Sequence, residues 1–175
     1  MKTLALFRHA KSDWDDAVTR DFDRGLNERG RKGARLLGAE LTGADKGWDA
    51  VLASPAERVR QTLAIALPDQ APLWDERLYL APCEAIFDIV REHAGAAERV
   101  LVCGHNPGLQ EALLALVPPA AENAAFDEAA RKFPTAALAV VELAIDDWAQ
   151  LADGCGTLVR FVRPRDLDPD LGPEG

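Results

Sequence analysis

Short apolar runs separated by longer amphipathic stretches organise this chain, and that alternation narrows its fold more than any other feature. Residues 3–7 (TLALF), 49–53 (DAVLA) and 99–103 (RVLVC) read as short buried strands. After the first, residues 28–42 repeat Ala34, Leu36, Leu37 and Leu41 at helical spacing behind Asn27, a good N-cap. After the second, residues 54–67 open on Ser54, Pro55 and Glu57, which predicts a helix capped by Ser54 with a capping box. APLW, 71–74, is expected in a loop, and CEAIFDIVREH, 83–93, is amphipathic. GHNPG follows the third strand directly, so Asn106 can cap and Pro107 can open a helix that ends at Pro118-Pro119. Residues 137–144 and 157–162 read as two more strands, paired near a sheet edge. The pattern is that of an α/β domain with a mostly parallel sheet. From Pro164 onward the chain is polar and proline-rich, so residues 1–163 are expected to form the single domain and 164–175 a flexible tail.

Composition bounds the function. At 175 residues, 48% apolar and 28% charged, the chain suits one soluble folded domain. Its 20 basic and 29 acidic residues leave a net charge of −9, which argues against nucleic acid or an anionic membrane as a partner. Exposed charges farther off than about 8 Å are screened, however, so one pocket can still be positive. No run approaches the roughly eighteen apolar residues of a membrane span, and Met1-Lys2-Thr3 leads into a strand without signal-peptide architecture, so a cytoplasmic location is expected. Cys83, Cys103 and Cys155 are odd in number and widely spaced, which suggests neither a disulfide framework nor a zinc knuckle.

Three strands end in a polar cluster: Arg8-His9 after the first, Ser54 and Arg58 after the second, His105-Asn106 after the third. In an open parallel sheet ligands bind outside the carboxyl ends of the strands, so these clusters converge on one pocket of two histidines and at least two arginines. Helices starting at Ser54 and Asn106 would aim their amides at it, which suits an anion, phosphate above all. Each residue alone has a plainer reading. A strand-end histidine is often structural, Ser54 a mere cap, Arg58 a solvated side chain, and Arg24 a loop arginine paired with Asp21 or Asp23. His93, the third histidine, sits at a helix end where it favours the dipole. The combination is what points to phosphate.

F-R-H-A at 7–10, L-A-S-P-A-E-R-V-R-Q-T at 52–62 and V-C-G-H-N-P at 102–107 resemble the histidine phosphatase superfamily, the branch that includes cofactor-dependent phosphoglycerate mutases. R-G-L-N-E-R-G at 24–30 and F-P-T-A-A-L-A at 133–139 are similar to the small phosphohistidine phosphatases of the SixA type. The resemblance spans the chain to about residue 162 and implies a three-layer α/β/α domain of the phosphoglycerate mutase-like kind. It implies His9 as the nucleophile that is transiently phosphorylated. Arg8, Arg58 and His105 would hold the phosphoryl group, with Arg24 and Asn106 as further phosphate contacts. No metal and no cofactor are implied. Ala10, Val59 and Gly25 depart from the common glycine, alanine and proline of the pattern.

A larger departure concerns the segment DERLYLAPCEA, 75–85. Relatives that cleave alkyl esters carry a catalytic acid shortly after an R-L pair, whereas Arg77-Leu78 is followed here by Tyr79 and Leu80, with Glu76 and Glu84 only flanking the place. An alkoxide leaving group needs a general acid worth about 10²–10⁴ in rate; an imidazole, with a pKa of about 6.5, is protonated from solvent. The expected substrate is therefore phosphohistidine on a partner protein, with a small phosphate ester as the alternative, and the chain is expected to act as a monomer. The rival readings are a broad phosphomonoesterase using Glu84, a metallophosphatase, and a phosphoprotein-binding module without turnover.

Overall fold

A computed structural model describes residues 1–43 and 47–172. In chain order the main elements are β1 (Lys2–Arg8), α1 (Glu28–Thr42), β2 (Ala50–Ala53), α2 (Glu57–Ala66), β3 (Leu73–Trp74) and α3 (Cys83–His93). They continue with β4 (Arg99–Gly104), α4 (Gly108–Leu116), α5 (Ala124–Arg131), β5 (Leu138–Leu143), β6 (Gly156–Val162) and α6 (Pro164–Leu167). The strands form one sheet in the order β3-β2-β4-β1-β5-β6. β3, β2, β4 and β1 run parallel, and β5 and β6 complete the sheet antiparallel.

Because side chains alternate along a strand, each central strand feeds two apolar layers. Leu4, Leu6, Val100 and Val102 enter a cluster with Ile86, Phe87, Leu109 and Leu113 of α3 and α4 and Phe126 of α5. Ala5, Phe7, Leu101 and Cys103 enter the other, with Leu37 and Leu41 of α1 and Val59 and Leu63 of α2. Helices therefore cover both faces, as the resemblance implies. Among the described residues no helix is long and apolar enough to cross a membrane.

Several expectations are corrected locally. Ser54 does not cap α2: the helix starts at Glu57 behind Ala56, and the Ser54 hydroxyl meets His105 and the Ala56 amide ahead of the first turn. APLW contributes the two-residue edge strand β3. α5 was not anticipated, although Asn123 caps it by accepting from the Phe126 amide. The stretch from Pro164, expected to be mobile, packs as far as Gly172: α6 and a 3-10 turn over Pro169–Leu171 fold back on α1, Leu171 is buried, and Lys32 pairs with Asp168 at 2.7 Å. One apolar side chain and an ion pair anchor what composition alone marks as too polar. Residues 173–175 of that tail lie outside the described residues.

Candidate active site

Strand register assembles the site. Phe7 pairs with Cys103 and Cys103 with Ala53, so the next residues, Arg8, Gly104 and Ser54, stand together at the carboxyl ends of three adjacent parallel strands. One residue further, the His9 amide donates to the Gly104 carbonyl at 3.0 Å, and the His9 and His105 rings lie 5.2 Å apart. Thr62 ties this strand end to α2: its hydroxyl accepts from the Ala10 amide at 2.9 Å and donates to the Arg58 carbonyl at 2.6 Å.

Hydrogen bonds fix both imidazoles. Nδ1 of His9 lies 2.7 Å from the Ala10 carbonyl, which can only accept, so Nδ1 carries the proton and Nε2 keeps its lone pair. Burial first, then His105, Arg8 and Arg58, hold this imidazole well below its ordinary pKa against the opposing pull of the Ala10 carbonyl. The imidazole is therefore neutral at neutral pH. Nε2 of His105 lies 2.8 Å from Oγ of the fully buried Ser54, which also accepts from the Ala56 amide. If Ser54 donates to Nε2, one polar group is left over, a buried Nδ1–H; the reverse tautomer would strand both the Ser54 proton and the Nδ1 lone pair. His105 therefore offers an Nδ1–H donor. Its pKa is pushed down to about 3 by burial and then by Arg58.

The arginines are held in turn. Arg8 donates to the Phe133 carbonyl at 2.9 Å, and burial together with Arg58 depresses its pKa. Asn106 gives its amide to the same carbonyl at 2.9 Å and accepts from the Gln110 amide at 3.2 Å, so it braces the start of α4. Arg58, buried at 4% exposure, donates to the Asp21 carbonyl at 2.7 Å and to the Asp21 carboxylate at 3.0 Å. Tyr79 also donates to that carboxylate and meets the His105 ring edge-on at 5.4 Å. Burial would raise the Asp21 pKa, but the hydrogen bonds from Tyr79 and Arg58 outweigh it and keep the group ionised. Asp21 thus pairs with Arg58, where a pairing with Arg24 was the plainer expectation.

Arg24 is placed differently from its expected phosphate contact. It donates to the carbonyls of Asp16 at 2.7 Å and Asp13 at 3.4 Å and lies 4.2 Å over the Trp14 ring, bracing the exposed 13–18 loop. His93 sits apart, 3.5 Å from Asp75.

Over these groups opens a cavity of about 240 Å³. Arg8, His9, Arg58, His105 and Asn106 line it, joined by Lys11, Ser12, Trp14, Leu80 and Thr135. Among the described residues no carboxylate lines it, and Glu76 and Glu84 do not reach it. Leu80 stands at its edge, 55% exposed and in the left-handed region at φ +53°. Sequence reasoning missed Asp21, Tyr79 and Lys11 here; the Asp-Phe-Asp-Arg run and Tyr79 beside the missing acid were the only signals. Among the described residues no three His, Cys, Asp or Glu side chains are grouped to hold a metal ion.

Comparison with known proteins agrees with this geometry. The model of the histidine phosphatase superfamily (branch 1) matches residues 4–78. An uncharacterized protein of Mycobacterium tuberculosis is 37% identical over 159 residues, covering 90% of this chain and 99% of its own. A Nakamurella multipartitia protein, provisionally described as the phosphohistidine phosphatase SixA, superposes with a TM-score of 0.82 at 32% identity, covering 93% of this chain and 96% of its own. The chain belongs to the histidine phosphatase superfamily, branch 1. The protein histidine phosphatase SixA complexed with tungstate is also similar, with a TM-score of 0.74 at 25% identity over 95% of this chain and 99% of that one. This histidine phosphatase is therefore SixA-like in fold over nearly its whole length.

Proposed function

We propose that this phosphatase removes phosphate from phosphohistidine on a partner protein through a covalent intermediate on His9. Nε2 of His9 attacks phosphorus as the substrate's P–N bond breaks, and the departing imidazole takes its proton from solvent. Water then attacks phosphorus, the P–N bond to His9 breaks, and inorganic phosphate leaves. Arg8 and Arg58 hold the equatorial oxygens by charge-assisted hydrogen bonds, and the Nδ1–H of His105 donates to the charge that develops there. That the similar SixA forms a complex with tungstate, a phosphate-like oxyanion, supports oxyanion binding by this fold.

The observation that carries the substrate class is that, among the described residues, no carboxylic acid lines the cavity to protonate a leaving group. Asp21 is ionised, Glu84 lies on the first turn of α3 and not in the cavity lining, and from the segment where an acid was expected only Leu80 lines the cavity. A leaving group that needs no enzyme acid fits this lining best. In rapid-quench experiments at neutral to alkaline pH, labelled phosphohistidine protein should leave phosphate on His9, and His9→Ala should lose label and turnover while staying folded. Aryl phosphates should be cleaved about 10²–10⁴ faster than alkyl phosphates. Near wild-type turnover by His9→Ala would refute the nucleophile, and a flat leaving-group series would favour a broad phosphomonoesterase.

A further inference from the structure

Two apolar side chains border the catalytic cavity, and holding phosphate needs neither. Trp14 is 62% exposed and Leu80 more than half exposed, and both line the space shared by Arg8, His9, Arg58 and His105. One exposed apolar residue is ordinary; two on the rim of one charged pocket call for a ligand. Trp14 is also held in place. The Arg24 guanidinium lies 4.2 Å over its ring and is itself bonded to the Asp16 and Asp13 carbonyls. One face of the indole is thereby covered, and the other face and the edge are left for the cavity. Leu80 keeps a left-handed backbone at φ +53°, which a leucine rarely adopts, while burial does little for its exposed side chain. Backbone strain of this kind collects at ligand clamps.

The direction of displacement says what meets them. A leaving group departs opposite the attacking Nε2; since His9 is buried, the group bonded to phosphorus points outward, to the exposed rim. In phosphohistidine that group is a flat aromatic ring joined directly to phosphorus, whereas in phosphoserine it is an alkyl oxygen with no ring. A ring can stack on an indole or meet its edge, an arrangement favoured at centroid separations of about 4.5–7 Å. The imidazole also becomes cationic as it takes its proton, and an indole face favours a cation. We propose that Trp14, with Leu80 as a second apolar contact, is the platform for the imidazole of phosphohistidine, so that the site selects a phosphoryl group carried on an aromatic ring. The inference rests on the phosphohistidine reading above and names the residues that recognise the ring.

The test compares substrates that all lack the need for an enzyme acid and differ in whether they carry a ring: a phosphohistidine peptide and para-nitrophenyl phosphate carry one, acetyl phosphate does not. Trp14 is exposed, so neither variant used removes a core contact. In Trp14→Leu of the full chain, kcat/KM should fall about tenfold more for the two ring-bearing substrates than for acetyl phosphate. Trp14→Phe, which keeps a ring, should hold the wild-type ratio to within about threefold. A second measurement avoids turnover altogether. Phenylphosphonate should inhibit wild type about tenfold more strongly than methylphosphonate, and that gap should close in Trp14→Leu. An equal fall on all three substrates, no fall on the ring-bearing ones, or a phosphonate gap that survives in Trp14→Leu would overturn the proposal. If wild type cleaves para-nitrophenyl and acetyl phosphate but not phosphohistidine, the substrate reading fails by itself, and the ring comparison still decides the role of Trp14.

Discussion

Keeping His105 neutral in the interior makes stability depend on acid in a way that can be worked out. Its imidazole is 3% exposed and its pKa is pushed down to about 3, against about 6.5 in an unfolded chain. The folded state thus binds fewer protons than the unfolded one whenever the pH lies below 6.5. The sign follows: the contribution is fully retained above pH 6.5 and is lost progressively as pH falls towards 3. At pH 7 the loss is only about 0.2 kcal/mol; at pH 5, one and a half units below the unfolded value, it is about 2 kcal/mol. His105→Asn keeps a donor near the Nδ1 position but cannot titrate. Urea unfolding of both proteins at pH 7 and pH 5, at constant ionic strength, gives four free energies. Wild type should lose about 2 kcal/mol more than the variant on acidification, since His9 and the carboxylates titrate in both. Equal losses, within about 0.5 kcal/mol, would refute the neutral, buried His105 described above.

Asp21 opposes phosphate for the charge of Arg58, and the Asp21 carbonyl holds that arginine independently of the carboxylate; Asp21→Asn should therefore lower the inhibition constant of inorganic phosphate by about fivefold, and a rise would refute this. Ser54→Ala removes the hydroxyl that sets the His105 tautomer. It should cost about 1–3 kcal/mol of stability in urea unfolding and about tenfold in kcat on an aryl phosphate, whereas an unchanged kcat would show that the tautomer is set by something else.

Strand ends and helix periodicity were legible because they are local. The three parallel strands, the two-faced core and the convergence of Arg8, His9, Arg58 and His105 follow from alternation and from where the polar residues sit. What was not legible depends on partners distant in sequence. Ser54 has the spacing of a capping box, and only His105, 51 residues later, reveals why its hydroxyl is taken. Arg58 and Asp21 are 37 positions apart, so an arginine-aspartate pairing closer in sequence looked more natural. Arg24 carries the family's motif position, yet its guanidinium meets loop carbonyls that no motif encodes. The stretch after Pro164 reads as solvated until α1 supplies Lys32 for Asp168 and a surface for Leu171.

The two hydrogen bonds of Thr62 join the strand that ends in His9 to the helix that carries Arg58, and this has a consequence for local opening. The Ala10 amide is buried and bonded to a hydroxyl that is itself bonded to α2, so hydrogen exchange there requires both segments to separate, an event close to global unfolding. The exposed backbone of 13–18 faces solvent and exchanges from far smaller fluctuations. The pocket therefore joins a wall that opens slowly to one that opens readily, so that on the function proposed above the loop can be displaced while His9 and Arg58 keep their separation.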